Sequence, residues 1–148
     1  MHAKSGLVIS LVTRIATALL LVLVLALALA ACSSRQASPV VLRCIDVVAG
    51  CTLQVDGQPL HIRFSETPRP LRPFDLEVAM AAESIEASFQ MQDMEMGFNR
   101  YRLLSEAGKW HARIILPACI RGRSDWKLQL DVKTAAGDRR YQLRFTSG

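Results

Sequence analysis

Several signatures of catalysis and redox chemistry are missing from this chain. Only three of its 148 residues are histidine, and none of the three lies within or beside the methionine-rich stretch 91–96. No Cys-x-x-Cys pair occurs, which argues against a thioredoxin-like redox motif. Asp93 and Glu95 are neighbouring carboxylates, but no positioned His, Ser or Lys accompanies them, and acid–base catalysis needs converging groups. We therefore expect a protein that is not an enzyme and has no small-molecule substrate.

A strong excess of charge of one sign is also missing. Residues 1–31 hold two of the 18 basic residues and no acidic residue, so the rest of the chain carries 16 basic and 13 acidic residues, a net charge of +3. This excess is too mild and too scattered to predict binding to nucleic acid. It fits a protein beside an anionic membrane, although arginines on solvated strand faces are the simpler explanation.

Helical periodicity is absent beyond the first 31 residues, and alternation with a period of two replaces it. An Asp-Gly pair between two alternating runs predicts a hairpin at Asp56-Gly57. Short alternating strands at regular spacing predict an all-β fold, a β-sandwich of about seven or eight antiparallel strands. The predicted strands are Cys51–Val55, Leu60–Phe64, Phe74–Met80, Ile85–Met91, Phe98–Ser105, Trp110–Leu116, Trp126–Val132 and Tyr141–Phe145.

The N-terminus has the composition of a secretory signal. A basic start precedes an apolar run of Leu, Ala and Val, and small residues follow. The run is shorter than the ~20 residues of a membrane-spanning helix, which disfavours a transmembrane anchor. It ends in Leu29-Ala30-Ala31-Cys32, which resembles a bacterial lipoprotein lipobox. This resemblance implies cleavage before Cys32 and a diacylglycerol anchor on its thiol; the alternative is a plain signal peptide with an incidental cysteine.

These features predict three segments: a lipoprotein signal peptide helix over 1–31, a lipidated tether over 32–43, and one sandwich domain over 44–148. The location is then the periplasmic face of a bacterial membrane. In most bacterial lipoproteins, an aspartate directly after the lipidated cysteine would retain the protein in the inner membrane. Ser33 stands there instead, which favours the outer membrane.

Three cysteines remain once Cys32 is assigned to lipid, in a compartment that permits disulfides. Cys44 and Cys51 are close in sequence, and Gly50 beside the second eases a turn. We therefore predict a Cys44–Cys51 disulfide and a free thiol at Cys119, while pairing of Cys119 with either of the other two stays open.

The most distinctive stretch contains three of the five methionines, Met91, Met94 and Met96, within six residues. Thioether sulfur is a soft ligand that suits Cu(I), and a thiolate from Cys119 would complete such a site. Met91 continues the inward parity of its strand, however, and methionine also fills gaps in ordinary cores. A Cu(I) site and a packing role are therefore the two interpretations of this stretch.

The order of features from Phe74 to Val132 resembles the YtkA-like and FixH families of small membrane-associated periplasmic domains. The resemblance lies in the Met91-x-x-Met94-x-Met96 turn, then Tyr101, Gly108-x-Trp110, and a loop leading into the Trp126 strand. It implies an immunoglobulin-like sandwich related to the copper-carrying CopC type, with Met91, Met94 and Met96 as metal ligands. It also implies a role in copper handling or cytochrome oxidase assembly. Relatives often have a methionine where this chain has Cys119.

Two further hypotheses concern the same end of the domain. The methionine-rich end could dock a partner protein without any metal, in a structural lipoprotein. Arg121 and Arg123 could lower the pKa of the Cys119 thiol and make it redox-active, but pairing of the arginines with Asp125 that stiffens the loop is the preferred interpretation.

Overall fold

A computed structural model describes Arg14 and residues 17–22, 38–92, 94, 99–118 and 122–148. The chain divides into two units, Met1–Gln36 and Ala37–Gly148. In the first unit, Arg14 and residues 17–22 are helical, within the predicted signal segment. No helix among the described residues is both long and apolar enough to cross a membrane. The lipobox, Leu29 to Cys32, lies outside the described residues.

The second unit is an all-β sandwich, as predicted, and its described residues form ten strands in two sheets of five. The first sheet has the order β1-β10-β9-β5-β6, and the second has the order β2-β3-β4-β8-β7. The strands are β1 (Val40–Leu42), β2 (Cys51–Val55), β3 (Gln58–Phe64), β4 (Pro73–Ala79), β5 (Ser84–Met91), β6 (Arg100–Arg102), β7 (Leu104–Glu106), β8 (Lys109–Ile115), β9 (Asp125–Thr134) and β10 (Gly137–Thr146).

The strand order is that of an immunoglobulin-like fold. Strands β4, β8 and β7 lie side by side in the order of immunoglobulin strands B, E and D, and β5, β9 and β10 lie in the order of strands C, F and G. The predicted fold class is therefore confirmed. The sequence predicts seven or eight strands, whereas the described residues form ten. The difference comes from two features of the backbone that do not change the alternation of apolar and polar residues.

The first unpredicted feature is β1, which lies within the segment assigned to the tether. Val40–Leu42 pair in parallel with residues 141–143 of β10, and the Leu42 side chain is buried. The second is a change of sheet inside the predicted strand 98–105. Leu103 is buried and donates its N–H to the carbonyl oxygen of Ile85 at 3.0 Å, whereas Leu104 already pairs with His111 in the other sheet.

The core lies between the two sheets and is lined by the inward residues of the alternating strands. Apolar and polar residues alternate along the strands because each sheet buries one face and exposes the other. At its centre, the rings of Phe64, Phe74, Phe89 and Phe145 contact one another with centroids 5.0–6.1 Å apart. Every described strand, the described core cluster and the disulfide belong to Ala37–Gly148. This unit therefore has a hydrophobic core of its own, which is what an independently folding domain requires.

The β2–β3 hairpin turns at Asp56-Gly57, as predicted. Both residues have positive φ, 50° and 77°, the backbone conformation that a two-residue type I′ turn requires and that Asp-Gly favours. The turn fixes the register Val55↔Gln58. It therefore sets which side chains of β2 and β3 face the core.

Candidate metal-binding end of the sandwich

The end of β5 and the start of β9 lie side by side. Met91, the last residue of β5, pairs in register with Trp126. The next residue, Gln92, donates its N–H to the carbonyl oxygen of Asp125 at 3.3 Å. The connection that leaves β5 and the connection that enters β9 therefore meet at the same end of the sandwich. We call this the β5/β9 end, defined by Met91, Gln92, Asp125 and Trp126.

Met91 is a core residue. Its side chain is only 1% exposed, and it continues the inward series of Ile85, Ala87 and Phe89 on β5. The predicted inward parity of Met91 is thus confirmed. Across the ladder, the buried Trp126 donates its Nε1–H to the Ser147 hydroxyl at 3.2 Å. The buried indole N–H is therefore satisfied, as buried polar groups usually are.

Met94 lies in the turn that follows β5. Its N–H donates to the carbonyl oxygen of Met91 at 3.4 Å, in a short antiparallel bridge. The Met94 side chain is half-buried and packs against the core. The thioether of Met94 thus lies at the boundary between the core and the surface, whereas that of Met91 lies within the core.

Met96 and Cys119, the other two predicted ligands, lie outside the described residues, as do Asp93 and Glu95. Part of the β8–β9 connection is described and carries a bidentate ion pair. Arg123 donates from Nε and Nη2 to the two carboxylate oxygens of Asp125, at 2.9 and 2.6 Å. These hydrogen bonds lower the pKa of Asp125. The predicted Arg–Asp pairing is therefore present at Arg123.

The described part of the chain contains no metal site built from histidine, cysteine and carboxylate side chains. No group of three or more His, Cys, Asp or Glu side chains converges there closely enough to hold a metal ion. His61 and His111 are both half-buried on the outer face of the second sheet. His61 Nδ1 is hydrogen-bonded to the Thr52 hydroxyl at 3.0 Å. Its ring also lies so close to Gly50 that a Cβ there would approach it to 2.9 Å.

The disulfide joins Cys44 to Cys51, as predicted, with 5.8 Å between the Cα atoms. It closes a short loop between β1 and β2. Inside the loop, the Asp46 carboxylate accepts hydrogen bonds from the N–H groups of Val48 and Ala49, at 2.8 and 3.1 Å. The Asp46 carbonyl accepts a further bond from Gly50 at 3.2 Å. The loop is therefore tied internally as well as covalently.

Sequence reasoning missed a cluster of polar side chains that joins the two sheets. Asp56, in the β2–β3 turn, accepts hydrogen bonds from the Tyr141 hydroxyl at 3.0 Å and from Arg139 Nε at 3.2 Å. Burial and the neighbouring carboxylate raise the pKa of Tyr141 to about 12. The cluster spans 85 residues of sequence, so no local pattern could have indicated it.

Comparison with known proteins adds no further assignment. No protein family, no curated protein and no solved structure matches the chain.

Proposed function

We propose that this protein is a lipid-anchored, non-catalytic β-sandwich on the periplasmic face of a bacterial membrane, and that its β5/β9 end binds or relays Cu(I). The observation that carries the proposal is the meeting of two connections at that end, through the Met91↔Trp126 pair and the Gln92–Asp125 hydrogen bond. One connection carries Met94 and Met96, and the other carries Cys119. Three soft sulfur donors therefore belong to segments that start from neighbouring strand ends.

Within this proposal, Met91 has a supporting role and the metal ligands are Met94, Met96 and Cys119. Met91 was one of the predicted ligands, but its side chain is buried in the core, where packing accounts for it. The remaining set, two thioethers and one thiolate, is soft and favours Cu(I) over harder divalent ions. Three sulfurs would suit a three-coordinate ion.

The location rests on the lipobox and on the disulfide. The lipobox-like Leu29-Ala30-Ala31-Cys32 implies an acylated Cys32, and several acyl chains anchor a protein stably. A Cys44–Cys51 disulfide fits an oxidising compartment such as the periplasm. Intact-mass measurement of the protein from membranes tests the anchor: a diacylglyceryl mass that is lost in Cys32→Ser supports it, and an unmodified cysteine contradicts it.

The resemblance to the YtkA-like and FixH families bears on the process that the copper would serve. It points to copper handling or to cytochrome oxidase assembly, and the immunoglobulin-like strand order agrees with the fold that those families imply. This strand order is shared by domains of many functions. The metal-binding measurement, not the fold, therefore decides the proposal.

The test is an anaerobic Cu(I) titration of the Ala37–Gly148 unit against a competing chelator. The wild-type unit should bind one Cu(I), and Met94→Leu/Met96→Leu/Cys119→Ser should lose that binding while keeping its fold. Met80→Leu is the matched control, because Met80 is a half-buried methionine that directly follows β4, a strand of the other sheet. Unchanged affinity in the triple variant, or equal loss in the control, would contradict the proposal.

A second function, docking of a partner protein without metal, is favoured by the burial of Met91 and the packing of Met94 against the core. Methionines at the margin of a core also form adaptable binding surfaces. A partner captured in the presence of a copper chelator, and lost when Met94 and Met96 are replaced by Gln, would support docking. Capture that depends on added Cu(I) would favour the metal site instead.

A further inference from the structure

Two cations lie side by side on the outer face of the first sheet, and a third follows the end of the neighbouring strand β1. Lys127 of β9 pairs in register with Arg144 of β10, and Arg43 directly follows Leu42, which pairs with Leu143. We call Arg43, Lys127 and Arg144 the basic row. On its other side Lys127 pairs with the uncharged Gln90. Like charges directly opposite each other on neighbouring strands are destabilising, so the row is unfavourable for the sandwich alone.

Both carboxylates of β9 are already bound by arginines outside the basic row. Arg140 is bound to Asp131, and Asp125, the acidic residue nearest to Lys127 along β9, is bound by Arg123. Among the described residues, no side chain of the basic row makes an ion pair or a hydrogen bond. The row therefore presents unneutralised positive charge to the solvent.

A fully exposed apolar side chain, Ile45, lies beside the basic row. Ile45 follows Cys44 in the disulfide loop, and it lines the same groove of about 350 Å³ as Arg144. The disulfide and the hydrogen bonds to Asp46 hold this loop. Asp46, the one acidic residue of the loop, lines the same groove, and its carboxylate accepts hydrogen bonds from backbone N–H groups within the loop. Ile45 is thus displayed on a rigid support next to cations.

We propose that the basic row and Ile45 form a surface that binds the anionic headgroups of a phospholipid bilayer, with Ile45 entering the interface. Basic residues next to a membrane are attracted by anionic lipids, and an apolar side chain flanked by cations is the usual composition of an interfacial contact. The surface orients the domain on the membrane and holds this edge of the sandwich against the headgroups.

The length of the tether agrees with this partner, a step that rests on the proposed anchoring at Cys32. Cys32 and Val40 are eight residues apart, so even a fully extended chain spans no more than about 28 Å. β1 starts at Val40, and Arg43 and Ile45 follow within five residues. An anchored domain therefore keeps the basic row within reach of the headgroups.

The experiment uses the unlipidated Ala37–Gly148 unit, so that the anchor contributes nothing. Co-flotation is measured with phosphatidylcholine vesicles and with vesicles containing about one third phosphatidylglycerol. Binding should require the anionic lipid and should disappear at about 0.5 M salt, where surface charges are screened. Lys127→Gln/Arg144→Gln should lower the partition coefficient about tenfold or more, and Ile45→Ser should lower it further.

The matched control is Arg102→Gln/Arg113→Gln. It removes the same charge from two exposed arginines that lie on β6 and β8, away from the basic row, and it should bind like the wild type. Equal loss in both double variants, equal binding to neutral vesicles, or no flotation at all would overturn the proposal. Binding to a polyanionic protein but not to anionic vesicles would overturn it too, because it would assign the row to an acidic partner.

The result of the vesicle experiment can be distinguished from the results of the tests of the proposed function. Failure of the unlipidated unit to float would leave the Cys32 lipid mass and the Cu(I) titration unaffected. Conversely, an unmodified Cys32 or an absence of Cu(I) binding would leave the vesicle result standing.

Discussion

Met91 lies directly opposite Trp126 across the β5–β9 ladder, and both side chains are buried. This pair joins the strand that precedes the methionine turn to the strand that follows the Cys119 connection. It also distinguishes the role of Met91 from that of Met94. Met91 belongs to the core, whereas Met94 lies at its margin and packs against it.

Substitution of Met91 tests this division of roles. Met91→Leu conserves volume, so it should cost less than about 1.5 kcal/mol of stability, and it should leave Cu(I) affinity unchanged. Met91→Ala removes buried volume and should cost about 2–5 kcal/mol. Urea unfolding measures the stability of both variants, and chelator competition measures the Cu(I) affinity of Met91→Leu. A folded Met91→Leu variant that has lost Cu(I) binding would make Met91 a ligand and would contradict the assignment.

The Cys44–Cys51 disulfide should contribute to stability even though its loop is short. The two cysteines are seven residues apart, and loop-closure entropy for so short a loop predicts a loss of about 2–3 kcal/mol in Cys44→Ser/Cys51→Ser. Urea unfolding of the wild type with and without reductant provides the control, because reduction should reproduce the loss. Identical midpoints in all three samples would show that the disulfide is dispensable.

Tyr141 should make stability decline at alkaline pH. Burial raises its pKa to about 12, assisted by the hydrogen bond to Asp56, from an ordinary value of 10.0. Below pH 10.0 the Tyr141 hydroxyl keeps its proton in both the folded and the unfolded protein, so its full contribution to stability is present. Because the pKa is higher in the folded protein, this contribution is lost as the pH rises through about 12. The free energy of unfolding of the wild type should therefore fall over this interval.

Tyr141→Phe should lack that part of the decline, because it has no hydroxyl to titrate. Tyr101→Phe is the control, since it removes a tyrosine hydroxyl that does not contact Asp56 and should retain the decline. Denaturation curves across this pH range measure the difference. Parallel pH profiles for the wild type and Tyr141→Phe would refute the assigned role.

The Tyr101 hydroxyl joins the two sheets at the β6 edge. It donates to the carbonyl oxygen of Ile115 at 2.9 Å and accepts from the N–H of the same residue at 3.2 Å. Tyr101→Phe keeps the ring contact with Phe89 but removes both bonds, so it should cost about 1 kcal/mol or somewhat more. Hydrogen exchange should also quicken at the Ile115 amide. Unaltered exchange at that amide would argue against the bridge.

Local chemistry made much of the fold predictable. The alternation of apolar residues marked most of the strands, and Asp56-Gly57 fixed one hairpin because its turn type depends on two adjacent residues. The disulfide followed from the short separation of Cys44 and Cys51. Each of these signals lies within a few residues of the structure that it determines.

Relationships between distant residues were not predictable in the same way. β1 has only three residues, and its partner β10 lies about a hundred residues further along, so no period could reveal it. The change of sheet at Leu103 preserves the run of extended residues and thus leaves no break in the pattern. The Tyr141–Asp56 bond and the basic row likewise depend on which strands become neighbours. The meeting of the two connections at the β5/β9 end belongs to the same class.

X-ray absorption at the copper K edge of the anaerobically Cu(I)-loaded Ala37–Gly148 unit tests the central claim most directly. The account predicts a Cu(I) edge and a first shell of sulfur atoms alone, two thioethers and one thiolate, with the shell altered in Cys119→Ser. A shell dominated by nitrogen or oxygen, or copper that is not retained after removal of excess metal, would contradict it.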